Sequence, residues 1–298
     1  MSIMEKFANV KVDAAARIGP EDAAYCEAEQ VNYDRAHKLY ADFRAALAEG
    51  IKLENEEWSS RTGKSSVGHR TYAFLETYGD GGLGNIEKRV DEIQTNFIHG
   101  LVYYFAEKYN VSLSAGTVDK NLGLEKPEYD RHVSESRYEN ALAEYKTKST
   151  RRLHYNEIVD EVLLQLGGLT FSDKAVQQIK DNAQEAAHNK YHNHCHYTIN
   201  KKVIQFKESF THYDGQHSHV LLALWHFNTG LTSMGGSYWS RELDKRYSYY
   251  SNDDRVGSPY EFEGQKACKM RYFKSGRWDI TFASAELADT FAREYLGY

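Results

Sequence analysis

The sequence predicts an α+β protein with a mainly helical N-terminal half. In the C-terminal half, a small antiparallel sheet or hairpin is expected to pack against helices. Three observations predict this class. Apolar residues recur at helical spacing through most of the first half. Alternating β-branched and aromatic residues enter only after about residue 195. Hydrophobic residues make up 41% of the 298 and charged residues 27%, so the chain can bury cores rather than remain disordered.

The elements follow in order. Residues 1–30 are alanine-rich and acidic, without strong periodicity, and read as an extended acidic arm. From Asn32 to Trp58, the positions Tyr33, Leu39, Phe43, Leu47 and Ile51 fall close to a helical repeat. "SSRTGKSSVGHR" (59–70) is a polar loop, "TYAFLETY" (71–78) a strand or short helix, and "GDGGLG" (79–84) a break. Ile86, Val90, Ile93, Phe97, Leu101 and Phe105 form one apolar stripe, which predicts a helix to about Tyr109. Residues 112–136, with Pro127, read as a long loop; 137–146 as a helix; and "KTKSTRR" (146–152) as a linker. A helical domain over 31–147 and an α+β domain over 148–298 follow from this division.

In the second half, "NEIVDEVLLQLGG" is an amphipathic helix closed by Gly167 and Gly168, since glycine takes the left-handed cap conformation without penalty. Ser172 is the expected cap of the next helix, up to Tyr191. "HYTINKKVIQF" reads as a strand, and "HVLLALWHF" (219–227) as a buried helix or strand. "KMRYFKSGRWDITF" (269–282) predicts a hairpin, with two aromatic-rich arms around Lys274 to Arg277. Ser284 caps a last helix that carries Leu287, Phe291 and Tyr295 on one face.

Charge and cysteine usage narrow the function classes. Residues 1–150 hold 19 Lys and Arg against 25 Asp and Glu, whereas residues 151–298 hold 18 of each. Direct nucleic-acid binding is not expected, because phosphate contact calls for a basic face. An acidic surface suits a basic protein partner or plain solubility. Cys26, Cys195 and Cys268 are far apart and form no CxxC pair, which fits a reducing cytoplasm and no disulfide framework. The first residues lack the apolar run of a signal peptide, and no stretch reaches the roughly 20 apolar residues of a membrane span.

Several stretches suggest chemistry. Eight of the thirteen histidines lie between His188 and His226, and "HNKYHNHCHY" (188–197) holds four of them. Drawn out as a strand, it puts His192, His194 and His196 on one face, where neutral imidazoles can chelate zinc or another divalent ion. That makes a metal-dependent enzyme acting on nucleotides or nucleic acid the alternative function. Against it, the stretch has no carboxylate to orient the rings and no HExxH pattern. A polar strand with hydrogen-bonded histidines needs no metal. Gly79, Gly81 and Gly84 match GxGxxG ahead of a helix, but no buried parallel strand precedes them, so a flexible turn accounts for them. Gly63-Lys64-Ser65 ends like a P-loop, yet Trp58 stands where the first glycine belongs. GxSxG is absent, and no cysteine carries a nucleophile signature. No catalytic residues and no cofactor are therefore assigned.

The stretch "MRYFKSGRWDITFASAELADTFAREYL" joins an aromatic arm, a Phe-Lys-x-Gly turn, a second arm ending Ile-Thr-Phe and a closing helix. It resembles the end of an uncharacterised family of phage, prophage and plasmid proteins. The overall organisation is similar to that of the phage anti-Gabija proteins. That resemblance implies a non-enzymatic inhibitor in the host cytoplasm. It would assemble as a homo-oligomer around the bacterial Gabija nuclease–helicase complex and keep it from DNA. Tyr272, Phe273 and Trp278 are the candidate partner anchors, since aromatic side chains are enriched at interfaces; the alternative is that these rings form the core of the second domain.

Overall fold

The computed structural model describes residues 17–63, 83–128, 134–149, 151–188, 196–207, 216–234, 259–262, 264–273 and 277–297. Among these are eight helices, concentrated in the first half, and one five-stranded antiparallel sheet in the second. The chain divides into two compact units.

The first unit takes in residues up to Ala106 together with Leu113–Gly168. Helix α1 (Pro20–Thr62) is 43 residues long, about 64 Å at helical rise. Pro20 at its first turn and the acidic pair Glu21 and Asp22 favour a start there. The arm expected over 1–30 is thus helical from Pro20 onward. Gly63 closes α1 at φ 69°, and its N–H donates to the Ser59 carbonyl. Helix α2 (Leu83–Tyr109) buries Val90, Phe97, Ile98, Leu101, Val102 and Phe105, much of the stripe read from the sequence. Tyr33 of α1 stacks on Phe97 at 4.4 Å, and Tyr25 on Tyr104 at 3.7 Å.

Three short helices complete this unit. Helix α3 (Ala115–Asn121) interrupts the expected 112–136 loop, nucleated by Ser114, whose hydroxyl accepts from the Thr117 N–H. Helix α4 (Glu135–Ser149) runs into the expected linker. Helix α5 (Tyr155–Gln165) begins with a capping box. In it, Glu157 accepts from the His154 N–H at 3.0 Å, and His154 Nδ1 accepts from the Asn156 N–H at 3.3 Å. Gly167 and Gly168 follow α5 at φ 65° and 85°, in the left-handed role read from the sequence.

The end of the segment read as a linker and the residues that follow it are clamped onto α1. Gln30 donates to the Leu153 carbonyl (3.1 Å) and accepts from the Tyr155 N–H (2.7 Å), while the Tyr33 hydroxyl accepts from the Leu153 N–H (3.1 Å). Arg152 grips Asp34 through two 2.7 Å bonds, which hold the Asp34 carboxyl below its ordinary range. Leu153 is fully buried. Residues 113–168 accordingly fall in the first compact unit.

The second unit comprises Glu107–Ser112 and Leu169 onward. Helix α6 (Phe171–Ala187) is capped by Thr170, whose hydroxyl accepts from the Asp173 N–H, and not by the expected Ser172. The reading "HYTINKKVIQF" as one strand is corrected to a hairpin. Strands β1 (Tyr197–Asn200) and β2 (Val203–Phe206) turn at Lys201 and Lys202, with Lys201 at φ 52°. Helix α7 (Gln216–Thr229) settles the 219–227 segment as helical. Strands β3 (Tyr260–Glu261), β4 (Ala267–Tyr272) and β5 (Trp278–Phe282) complete the sheet in the order β1-β2-β5-β4-β3. The β4–β5 hairpin pairs Tyr272 with Trp278, as its sequence predicts; its turn residues 274–276 lie outside the described set. Ser284 caps helix α8 (Ala285–Tyr295), as expected.

The core of this unit lies between one sheet face and helices α6, α7 and α8. Ile204, Phe206, Met270, Trp278, Ile280 and Phe282 supply the sheet side. Ile179, Leu224, Phe227, Phe291 and Tyr295 meet them from the helices. Their period-two alternation on β5 follows from the pleat.

Candidate functional site

The histidine-rich segment reaches the described residues only at its two ends. His192 and His194 lie outside them, so the three-histidine face of the sequence reading is represented by His196 alone. His196 is 9% exposed. Its N–H donates to the Ala187 carbonyl at 2.9 Å, and its carbonyl accepts from the Lys207 N–H at 2.8 Å. Burial lowers its imidazole pKa, with Lys207 and His188 pushing the same way. At the other end, His188 Nε2 sits 2.7 Å from the Leu296 carbonyl and therefore donates to it. His226 Nδ1 lies 2.7 Å from the Tyr295 hydroxyl, and burial lowers its pKa too. The His188 and His226 rings thus bind the C-terminal end of α8 by hydrogen bonds, and His196 is held through its backbone. Among the described residues, no group of three or more His, Cys, Asp or Glu could hold a metal ion.

The three aromatic anchors separate into different roles. Trp278 is 3% exposed and stacks on Phe206 at 4.4 Å, so it is part of the core. Of the two readings for this ring, its position on β5 favours the core one, since it points inward with Ile280 and Phe282. Tyr272, opposite it, is half-buried against the same cluster, and burial raises its phenol pKa. Phe273 lies within reach of two guanidinium groups, Arg271 at 4.8 Å and Arg277 at 4.0 Å from its ring centre. Phe273 thus combines a half-buried position with a cationic setting, which suits an acidic or aromatic contact.

Other chemical groups in the first unit have structural explanations. Cys26 is fully buried, and burial with Asp22 nearby pushes its thiol up to about 12, so it is no nucleophile at neutral pH. His99 Nε2 lies 2.9 Å from Asp119 Oδ2. Close by, burial and Asp91 raise the Tyr145 phenol to about 12, which keeps it a hydrogen-bond donor. Gly63, the first residue of the P-loop-like tripeptide, caps α1. Gly79 and Gly81 of the dinucleotide-like motif lie outside the described residues, and Gly84 falls in the first turn of α2.

Sequence reasoning missed the exposed face of α1. All four buried residues of this helix, Asp22, Cys26, Gln30 and Tyr33, precede residue 34. Beyond them, Leu39, Phe43 and Leu53 are 51%, 54% and 56% exposed. Ala48, Ile51, Lys52, Asn55, Glu56 and Ser59 lie along another side of the same helix. The signal was present as the Leu39–Phe43 spacing, but periodicity alone does not say whether a stripe faces a core or solvent. No helix among the described residues is long and apolar enough to cross a membrane. Comparison with family models, with curated proteins and with solved structures found no match.

Proposed function

We propose that the protein is a phage-encoded anti-defence factor of the host cytoplasm. It binds the bacterial Gabija nuclease–helicase complex through protein contacts, as an oligomer, and keeps it from engaging DNA. The observation that carries this reading is the C-terminal stretch from Met270 to Leu296 and its resemblance to phage and prophage proteins. Two further features support a binding role. The N-terminal part is acidic, and α1 exposes large apolar side chains that cost free energy in water unless covered. Phe273, flanked by Arg271 and Arg277, is the anchor retained from the sequence reading.

The test is co-expression with the nuclease–helicase complex, followed by size exclusion of the mixture. A co-eluting assembly, with plaque formation restored in a host carrying the defence system, is the expected result. Separate elution together with unrestored plaques would remove the proposal.

A further inference from the structure

We infer that the outer part of α1 is a self-association helix, whose partner is the same segment of a second copy running antiparallel. The inference does not rest on the inhibitor reading. Ala36, Leu39, Phe43, Ala46, Gly50 and Leu53 follow one another at alternating intervals of three and four, the seam period of paired helices. Leu39, Phe43 and Leu53 are each more than half exposed, and Ala46 is exposed as well. The seam spans about 25 Å of helix axis.

Two features choose a second copy, and an antiparallel one. The first is size. With the two-fold axis between Arg44 and Ala45, Phe43 of one copy meets Ala46 of the other. In the same register, Leu39 meets Gly50 and Leu53 meets Ala36. Every layer sets a large side chain against a small one, which lets two helices approach closely without voids. A parallel pair would stack Phe43 on Phe43 and leave Gly50 facing Gly50. The second is charge. Residues 35–44 carry Arg35, Lys38 and Arg44 against Asp42. Residues 45–54, which this register lays opposite, carry Glu49 and Glu54 against Lys52. Antiparallel pairing in this register brings Arg35 of each copy opposite Glu54 of the other, whereas parallel pairing lays Arg35 beside Arg35 and Glu54 beside Glu54. A seam of this length makes a small interface, so the dimer is expected to be reversible.

Sedimentation velocity of the full chain from about 1 to 100 µM tests the association. A concentration-dependent dimer is expected, and Phe43→Glu should weaken it by about 100-fold or more, because the substitution places two charges in the seam. Phe43 is exposed, so the variant should keep the wild-type circular dichroism spectrum and melting temperature. Orientation is read with a short bismaleimide, the unsubstituted chain setting the background from its own cysteines. Ala46→Cys should cross-link, since its two copies sit a few ångströms apart along the axis. Leu53→Cys should not, since its copies lie about 25 Å apart. A monomer at every concentration, a dimer indifferent to Phe43→Glu, or cross-linking of Leu53→Cys as fast as Ala46→Cys would each overturn the inference.

Discussion

Replacing Gln30 with alanine should loosen the contact between α1 and the start of α5. Gln30 is 6% exposed. Its side chain serves two backbone groups of another segment: it donates to the Leu153 carbonyl at 3.1 Å and accepts from the Tyr155 N–H at 2.7 Å. Alanine satisfies neither. Each buried backbone group left without its partner costs about 1–3 kcal/mol, so the loss is about 2–6 kcal/mol, less whatever entering water restores. Tyr33→Phe removes one acceptor, that of the Leu153 N–H at 3.1 Å, and should cost about half as much. Because the chain has two compact units, a single unfolding free energy is poorly defined, and a local readout is needed. Hydrogen exchange of a peptide spanning Arg151–Ile158 supplies it. Gln30→Ala should raise exchange there by at least tenfold, whereas peptides of the five-stranded sheet should not change. Unchanged exchange at Leu153 and Tyr155 would refute the reasoning that these bonds, and not helix propensity alone, seat α5.

Other expected outcomes follow from the second unit. Burial holds the pKa of His226 and His196 below the ordinary histidine value of 6.5, so the unfolded chain binds more protons in mild acid. Stability is therefore complete above about pH 6.5 and falls as pH drops towards the folded-state values. Melting temperatures from pH 7.5 to 5 should show this, and His226→Gln should flatten the decline; a chain equally stable at pH 5 would contradict it. Trp278→Ala should destabilise this unit by about 3–5 kcal/mol in urea unfolding, since it empties the stack on Phe206. Phe273→Ala should cost under about 1 kcal/mol and, on the proposed function, weaken partner binding instead; the reverse ranking would move the anchor back to Trp278. Metal analysis of untagged protein should find less than about 0.2 equivalents of zinc, iron, manganese or nickel; a full equivalent would revive the His192, His194 and His196 site.

What was legible in the sequence was whatever carried its own punctuation. Helix α5 ends on Gly167 and Gly168, and α8 starts on Ser284, because these residues act locally through backbone angle and side-chain oxygen. The β4–β5 hairpin was readable from its two aromatic arms. The β1–β2 hairpin was not, because its turn is made by Lys201 and Lys202 rather than by Asn or Gly. The surroundings of the segment read as a linker were hidden for a different reason. Residues 146–152 are polar and look like a spacer, yet Gln30, Tyr33 and Asp34, more than a hundred positions away, satisfy their neighbours' backbone and charge. The start of α1 was signalled by Pro20 and two acids but hidden within an alanine-rich stretch without an apolar stripe. For the candidate site the sequence offered residue types, not surroundings. Tyr272, Phe273 and Trp278 are equivalent as aromatic residues, and only the strand register separates the core tryptophan from the partly exposed phenylalanine.

On the proposed function, this chain acts by binding the Gabija nuclease–helicase complex. Light-scattering mass measurement on a size-exclusion column tests it directly, with the purified complex alone and mixed with excess protein. A shift of the complex to a larger mass that contains several copies of this chain is expected, together with loss of DNA cleavage by the shifted species. An unshifted complex that still cuts DNA in the presence of excess protein would contradict it.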